Sequence, residues 1–139
     1  MGLVYADLEI VNSDDVALAV NGYLTKDKIR KITIKTLVDS GAYMMCINEN
    51  IKNQLGLKVI THQLAELANG TKEQYEIVGP IEINFKNRST SCRAMVLPGN
   101  TEPLLGAIPM EDLDVIIDPK MQSLELPPER PYMAQKSLK

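Results

Sequence analysis

The stretch Thr36-Leu37-Val38-Asp39-Ser40-Gly41-Ala42 holds the residues best suited to chemistry. Just upstream, Lys31-Ile32-Thr33-Ile34 alternates and is β-branched, which predicts a strand. An apolar strand therefore delivers Asp39 straight into a Ser-Gly turn. A carboxylate is disfavoured in an apolar setting unless it is paired. Ser40 adds a hydroxyl that can donate and accept at once. Gly41 lets the backbone turn sharply and approach another chain closely. LVDSGA then has two readings. In one, Asp39 caps the amides of an ordinary turn; in the other, it is an acid–base group.

A second motif, Leu104-Leu105-Gly106-Ala107, follows the apolar run 94–97 and Pro98 and precedes a short helical stretch. Between the two lies Leu67-Ala68-Asn69-Gly70-Thr71-Lys72, where Asn-Gly flanked by extended runs predicts a hairpin. The first motif resembles the D-[ST]-G-A active-site loop of the retropepsin-like aspartic proteases. The second resembles the hydrophobic-hydrophobic-Gly segment that props this loop in the same family. Their order and separation match a retroviral protease subunit and the DNA-damage-inducible retropepsin-like proteins of eukaryotes. More closely, the chain from Ala6 to about Leu126 resembles small bacterial and archaeal clan AA proteins, with LLGAIP and an Asp-Pro hairpin.

The resemblance implies an all-β fold with one to three short helices, a single-domain retropepsin-like barrel active as a C2 homodimer. The domain would span 1–126, with 127–139 as an extended tail. It implies an aspartic endopeptidase acting on a peptide or protein substrate, with no cofactor and no metal. Asp39 would be catalytic, and Ser40, Gly41 and Ala42 would complete its loop. Ser40 would bond across the dimer axis. Leu104, Leu105 and Gly106 would pack behind the loop. Tyr43, Met44 and Cys46 would face the substrate cleft, with Leu67, Ala68, Asn69, Gly70 and Thr71 closing over it as a flap. Pro98–Thr101 would form part of the cleft rim. The chain departs from the family in three places. Ser40 stands where many members carry Thr, the flap has only Gly70 at its tip, and Tyr43-Met44 replaces the acidic pair of the retroviral enzyme. The alternative is a catalytically silent dimer of the same fold that binds peptides.

Chemistry supplies a reason for the dimer. Hydrolysis by carboxylates needs a base to deprotonate water and an acid to polarise the scissile carbonyl. Two carboxylates about 3 Å apart share one proton and supply both. This chain has one D-[ST]-G. Asp14-Asp15 reads as surface-like, Asp112 and Asp114 as a polar helical segment, and Asp118-Pro119 as a turn. A second copy of Asp39, brought up by an isologous contact, is the remaining source of a second carboxylate.

Composition sets the outer bounds. The 139 residues suit one domain with one core. A net charge of −3 argues against nucleic acid as a partner. Cys46 and Cys92 have no metal-like spacing and read as reduced thiols of a cytoplasmic protein. The single His62 cannot build a zinc site by itself. No apolar run approaches membrane-spanning length, so no membrane partner is expected.

Local signals place the remaining elements. Val4, Ala6, Leu8 and Ile10 alternate as a half-buried strand. Asn12-Ser13 can cap a helix ending at Asn21-Gly22, or the same stretch can be a strand entering a hairpin. The resemblance favours the helix. Ile29–Val38 is the strand carrying Asp39. Asn48 can cap a helix over Glu49–Leu55, ended by Gly56. Ile81–Phe85 and Cys92–Leu97 read as strands around an Asn87-Arg88-Ser89 turn. Pro109 can start a helix. Two short strands flank Asp118-Pro119-Lys120, and the proline-rich end from Pro127 reads as extended or loose.

Overall fold

Alternation of buried and outward side chains builds the first strand, β1 (Tyr5–Asn12), with Leu8 and Ile10 at 0% exposure. The computed structural model describes residues 2–138. β1 pairs antiparallel with β2 (Lys31–Val38) on one side, Leu8 opposite Ile34. On the other side it pairs with the far half of β5 (Lys72–Phe85), Ile10 opposite Ile83.

The remaining pairings close a ring. β2 runs parallel to the two-residue β7 (Leu104–Leu105), and β7 meets β3 (Met45–Asn48) at Leu104 and Cys46. β3 runs parallel to β6 (Arg88–Leu97), which pairs antiparallel with β5. β5 returns to β1, so the barrel wall has no open edge. The side chains of Leu8, Ile10, Ile47, Ile81, Ile83 and Leu105 fill the interior at 0% exposure. This is a mostly β closed barrel with three short α-helices.

β4 (Val59–Glu66) lies outside the ring, pairing only with the first half of β5. The two form a projecting hairpin whose tip, 67–71, is closed by Leu67 N–H to Thr71 O (2.7 Å) and Gly70 N–H to Leu67 O (2.9 Å). β8 (Ile116–Asp118) and β9 (Ser123–Glu125) form a separate two-stranded sheet.

Helix α1 (Ser13–Val20) settles the open choice at that segment: Asn12 Oδ1 accepts from the Asp15 amide. α2 (Glu49–Leu55) is capped by Asn48, whose Oδ1 accepts from Ile51 N–H (3.0 Å), and it stops at Gly56 in the left-handed region (φ 60). α3 (Ala107–Leu113) starts two residues before Pro109. That is possible because the first N–H groups of a helix lack intrahelical partners. Pro109 occupies one of these positions, and the first intrahelical bond is Met110 N–H to Gly106 O (3.2 Å).

Three local expectations change. Asp15 is buried, not surface-like, because Arg30 holds it through two side-chain bonds of 2.9 and 3.0 Å. Arg88 is not in a turn. Lys86 takes the left-handed position (φ 52), and Arg88 opens β6 with its side chain 0% exposed. Asp114 lies beyond α3, as its left-handed C-cap (φ 56). The segment after Pro127 has neither helix nor strand, yet several side chains pin it.

Candidate active site

Asp39 follows the last residue of β2. Its amide donates to Leu105 O (3.0 Å), and its carbonyl accepts from Ala42 N–H (3.1 Å), closing a tight turn over Ser40 and Gly41. The Gly41 amide donates to Asp39 Oδ1 (2.9 Å). Among the described residues this is the only hydrogen bond to that carboxylate. Asp39 is half-buried, and Ser40 and Gly41 are exposed.

Two neighbours fix the turn from behind. Leu104 and Leu105 pair with Leu37 and Val38, and Leu105 is fully buried. Gly106 then runs against the loop so closely that a Cβ there would lie 2.3 Å from Met44 O. The first two amides of α3 complete the brace: Ala107 N–H donates to Ala42 O (2.8 Å) and Ile108 N–H to Tyr43 O (3.1 Å). Helix donors with no intrahelical partner thus hold the loop carbonyls. Below, Thr36 Oγ1 donates to Ala6 O in full burial, so a hydroxyl in the barrel is satisfied.

Beside the loop lies a cleft of about 450 Å³. Gly41, Ala42, Tyr43, Met44, Cys46 and Leu104 line it, all among the residues singled out from the sequence. The opposite wall is Gln63–Glu66 of β4, with Met95 at the base next to Cys46. These five escaped sequence reading. The segment was legible as extended, but which of its residues face the cleft depends on pairing with β5. Leu67–Thr71 do not line the cleft; they sit at the hairpin tip beyond it. Burial, and secondarily the charge of Asp39, pushes the Cys46 thiol up to about 11.

Five other aspartates are engaged elsewhere. Asp15 binds Arg30, Asp14 pairs with Lys58, Asp112 meets Thr90 and Lys136, and Asp114 is gripped by Arg130. Asp118 Oδ1 accepts from the amides of Lys120 and Met121. Asp39 has no ion-pair partner among the described residues and sits on the braced loop whose next residues, Gly41 and Ala42, line the cleft.

A closed ring of strands, with an Asp-Ser-Gly turn backed by Leu-Leu-Gly, defines a retropepsin-like aspartic protease domain. The family model described as "gag-polyprotein putative aspartyl protease" matches residues 26–111, well over half of the chain, and the chain belongs to that family. Among solved structures it is similar to the retroviral protease-like domain of Ddi1 from Leishmania major. The TM-score is 0.56 at 17% identity, over 91% of this chain and 89% of that one. It also matches a retropepsin-like aspartic protease from Rickettsia conorii, with a TM-score of 0.46 at 13% identity, over 85% and 89%. No curated protein matches significantly. Among the described residues no helix is long and apolar enough to cross a membrane.

Proposed function

We propose that the protein is an aspartic endopeptidase whose catalytic pair is Asp39 and the Asp39 of a second copy in a C2 homodimer. One observation carries the reading. Asp39 is held on a braced loop, with its carboxylate bonded only by the Gly41 amide among the described residues and a cleft alongside. A carboxylate arranged in this way is open to a peptide lying in the cleft.

In the mechanism, the two carboxylates share one proton. The ionised one takes a proton from a water molecule as that water attacks the scissile carbonyl carbon. The protonated one donates a hydrogen bond to the carbonyl oxygen, then its proton as the tetrahedral intermediate forms. On collapse the C–N bond breaks, a hydroxyl of the intermediate returns its proton to the carboxylate that gave it as the carbonyl re-forms, and the leaving amine takes the proton held by the other, so the pair again shares one proton. Ser40, exposed beside Asp39, supplies a hydroxyl to lock the two loops across the axis. Gly41 admits the partner loop at close range.

The substrate is an extended peptide. β4 ends the sheet, so its outer edge is unpaired and suits strand addition. Ala42, Met44, Met95 and Leu104 give the cleft an apolar part, beside the polar Gln63 and Glu66, and favour hydrophobic side chains beside the cut bond. The acidic net charge and the two free thiols fit a cytoplasmic protein acting on peptides rather than on nucleic acid.

The test is digestion of a peptide library with and without pepstatin, run beside Asp39→Asn, with light scattering to read the particle mass. Cleavage lost in both controls, from a dimeric particle, supports the reading. A bell-shaped pH profile with an acidic optimum is expected, reporting the pair as a unit. Full cleavage by Asp39→Asn would remove Asp39 from catalysis, and binding without cleavage would select a silent peptide-binding dimer.

A further inference from the structure

We propose that the C-terminal segment, residues 127–138, is a clamp that acts through α3 to hold the active-site loop, and that Arg130 is its positioning residue. The chain of contacts is continuous. Arg130 grips Asp114 with two bonds, Nε to Oδ2 (2.7 Å) and Nη2 to Oδ1 (2.8 Å). Such a fork-to-carboxylate pair fixes direction as well as distance. Fully buried Arg88 donates Nε to Asp114 O (3.2 Å) and Nη2 to Arg130 O. The Gln135 amide donates to Asp114 Oδ2 (3.1 Å), and Lys136 pairs with Asp112 (2.8 Å). The segment thus doubles back along α3, where Gln135, Lys136 and Ser137 share a groove with Ile108.

The other end of α3 is the brace already described, with Ala107 and Ile108 donating to the carbonyls of Ala42 and Tyr43. Seven helical residues span about 10 Å, which is the distance from clamp to loop along the axis. A helix this short is marginal by itself. α3 has no side-chain N-cap and no basic residue in its last turn. Its carbonyl end is complemented instead by Arg88 and Arg130, brought in from β6 and the C-terminal segment. Fixing the helix is therefore a task for the contacts at its two ends. Gly106 packs against the Met44 backbone too closely to absorb slack, so a shift of α3 is transmitted to the turn that carries Asp39.

This inference uses the proposed catalytic loop, but its decisive test does not require peptidase activity. In the full chain, Arg130→Gln should raise amide exchange at Ala107 and Ile108 roughly tenfold or more, while Leu8 and Ile83 in the barrel keep their protection. If wild-type protein cleaves peptides, kcat should fall with KM little changed. Should Arg130→Gln fail to fold, Arg130→Lys, which keeps the charge and loses the fork, provides the same comparison. Faster exchange at Gln135 with unchanged protection at Ala107 and Ile108 would overturn the clamp. Absence of cleavage by the wild type would count against the peptidase reading alone.

Discussion

The backbone of Gly106 passes so near that of Met44 that an added Cβ would lie 2.3 Å from the Met44 carbonyl oxygen and 2.8 Å from its carbonyl carbon and amide nitrogen. These are main-chain atoms of the active-site loop, and no rotamer change relieves the contact. Gly106→Ala should cost about 3 kcal/mol, the upper end for inserting a methyl into a packed site. A melting temperature lowered by roughly 10 °C would register this. Any peptidase activity should fall further than stability does, because the displaced atoms belong to the loop that carries Asp39.

Asn48 performs two tasks from one buried amide. Its Oδ1 caps α2, and its Nδ2 donates to Thr101 O (2.9 Å) in the loop before Leu104. Asn48→Ser keeps a cap acceptor but is too short for the second bond. It should cost about 1 kcal/mol, and Asn48→Ala about 2 kcal/mol. Urea unfolding of the two variants separates the terms; equal losses would show that the cap contributes nothing, and an undiminished Asn48→Ser would show that the tether contributes nothing.

Asp15 links stability to pH. The hydrogen bonds from Arg30 lower its pKa, with burial opposing. The folded state thus binds this proton less readily than the unfolded chain. The resulting stability is fully present above the ordinary carboxylate range near pH 4 and is lost as pH falls through the lower folded value. Asp15→Asn should reduce the urea midpoint at pH 7 and change it much less at pH 2–3. Asp112 and Asp114, whose values are also lowered, keep an acid-sensitive slope in the variant.

Cys46 illustrates burial acting on reactivity. A thiol pushed up to about 11 has little thiolate at pH 8. Iodoacetamide should alkylate it about 100-fold more slowly than it alkylates an ordinary exposed thiol, and denaturant should abolish the difference. Mass mapping of the modified peptide distinguishes it from Cys92, which is raised to about 11 as well.

What could be read from the sequence was local or motif-borne. Asp39-Ser40-Gly41 and Leu104-Leu105-Gly106 were visible because each places special residue types at fixed spacing. The caps at Asn12 and Asn48 and the stop at Gly56 obey chemistry that works within a few residues. What stayed hidden depends on distant partners. The strand read at Ile81–Phe85 is only the end of β5, which starts at Lys72 and runs through Gly79-Pro80, because β4 and β6 pair on its first half and β1 and β6 on its second. Arg88 looked like a turn residue, since nothing nearby announces that Asp114 and the C-terminal segment will receive it. Asp15 looked solvated for the same reason, its partner Arg30 being fifteen residues away.

β5 is shared between the barrel wall and the projecting hairpin, and this division carries an evolutionary consequence. At the hairpin tip, space around Gly70 is open enough that an added Cβ would touch nothing within 4 Å. Residues grafted between Asn69 and Gly70 would leave every register of the ring in place. New recognition sequences can accumulate there while the machinery beneath stays constant.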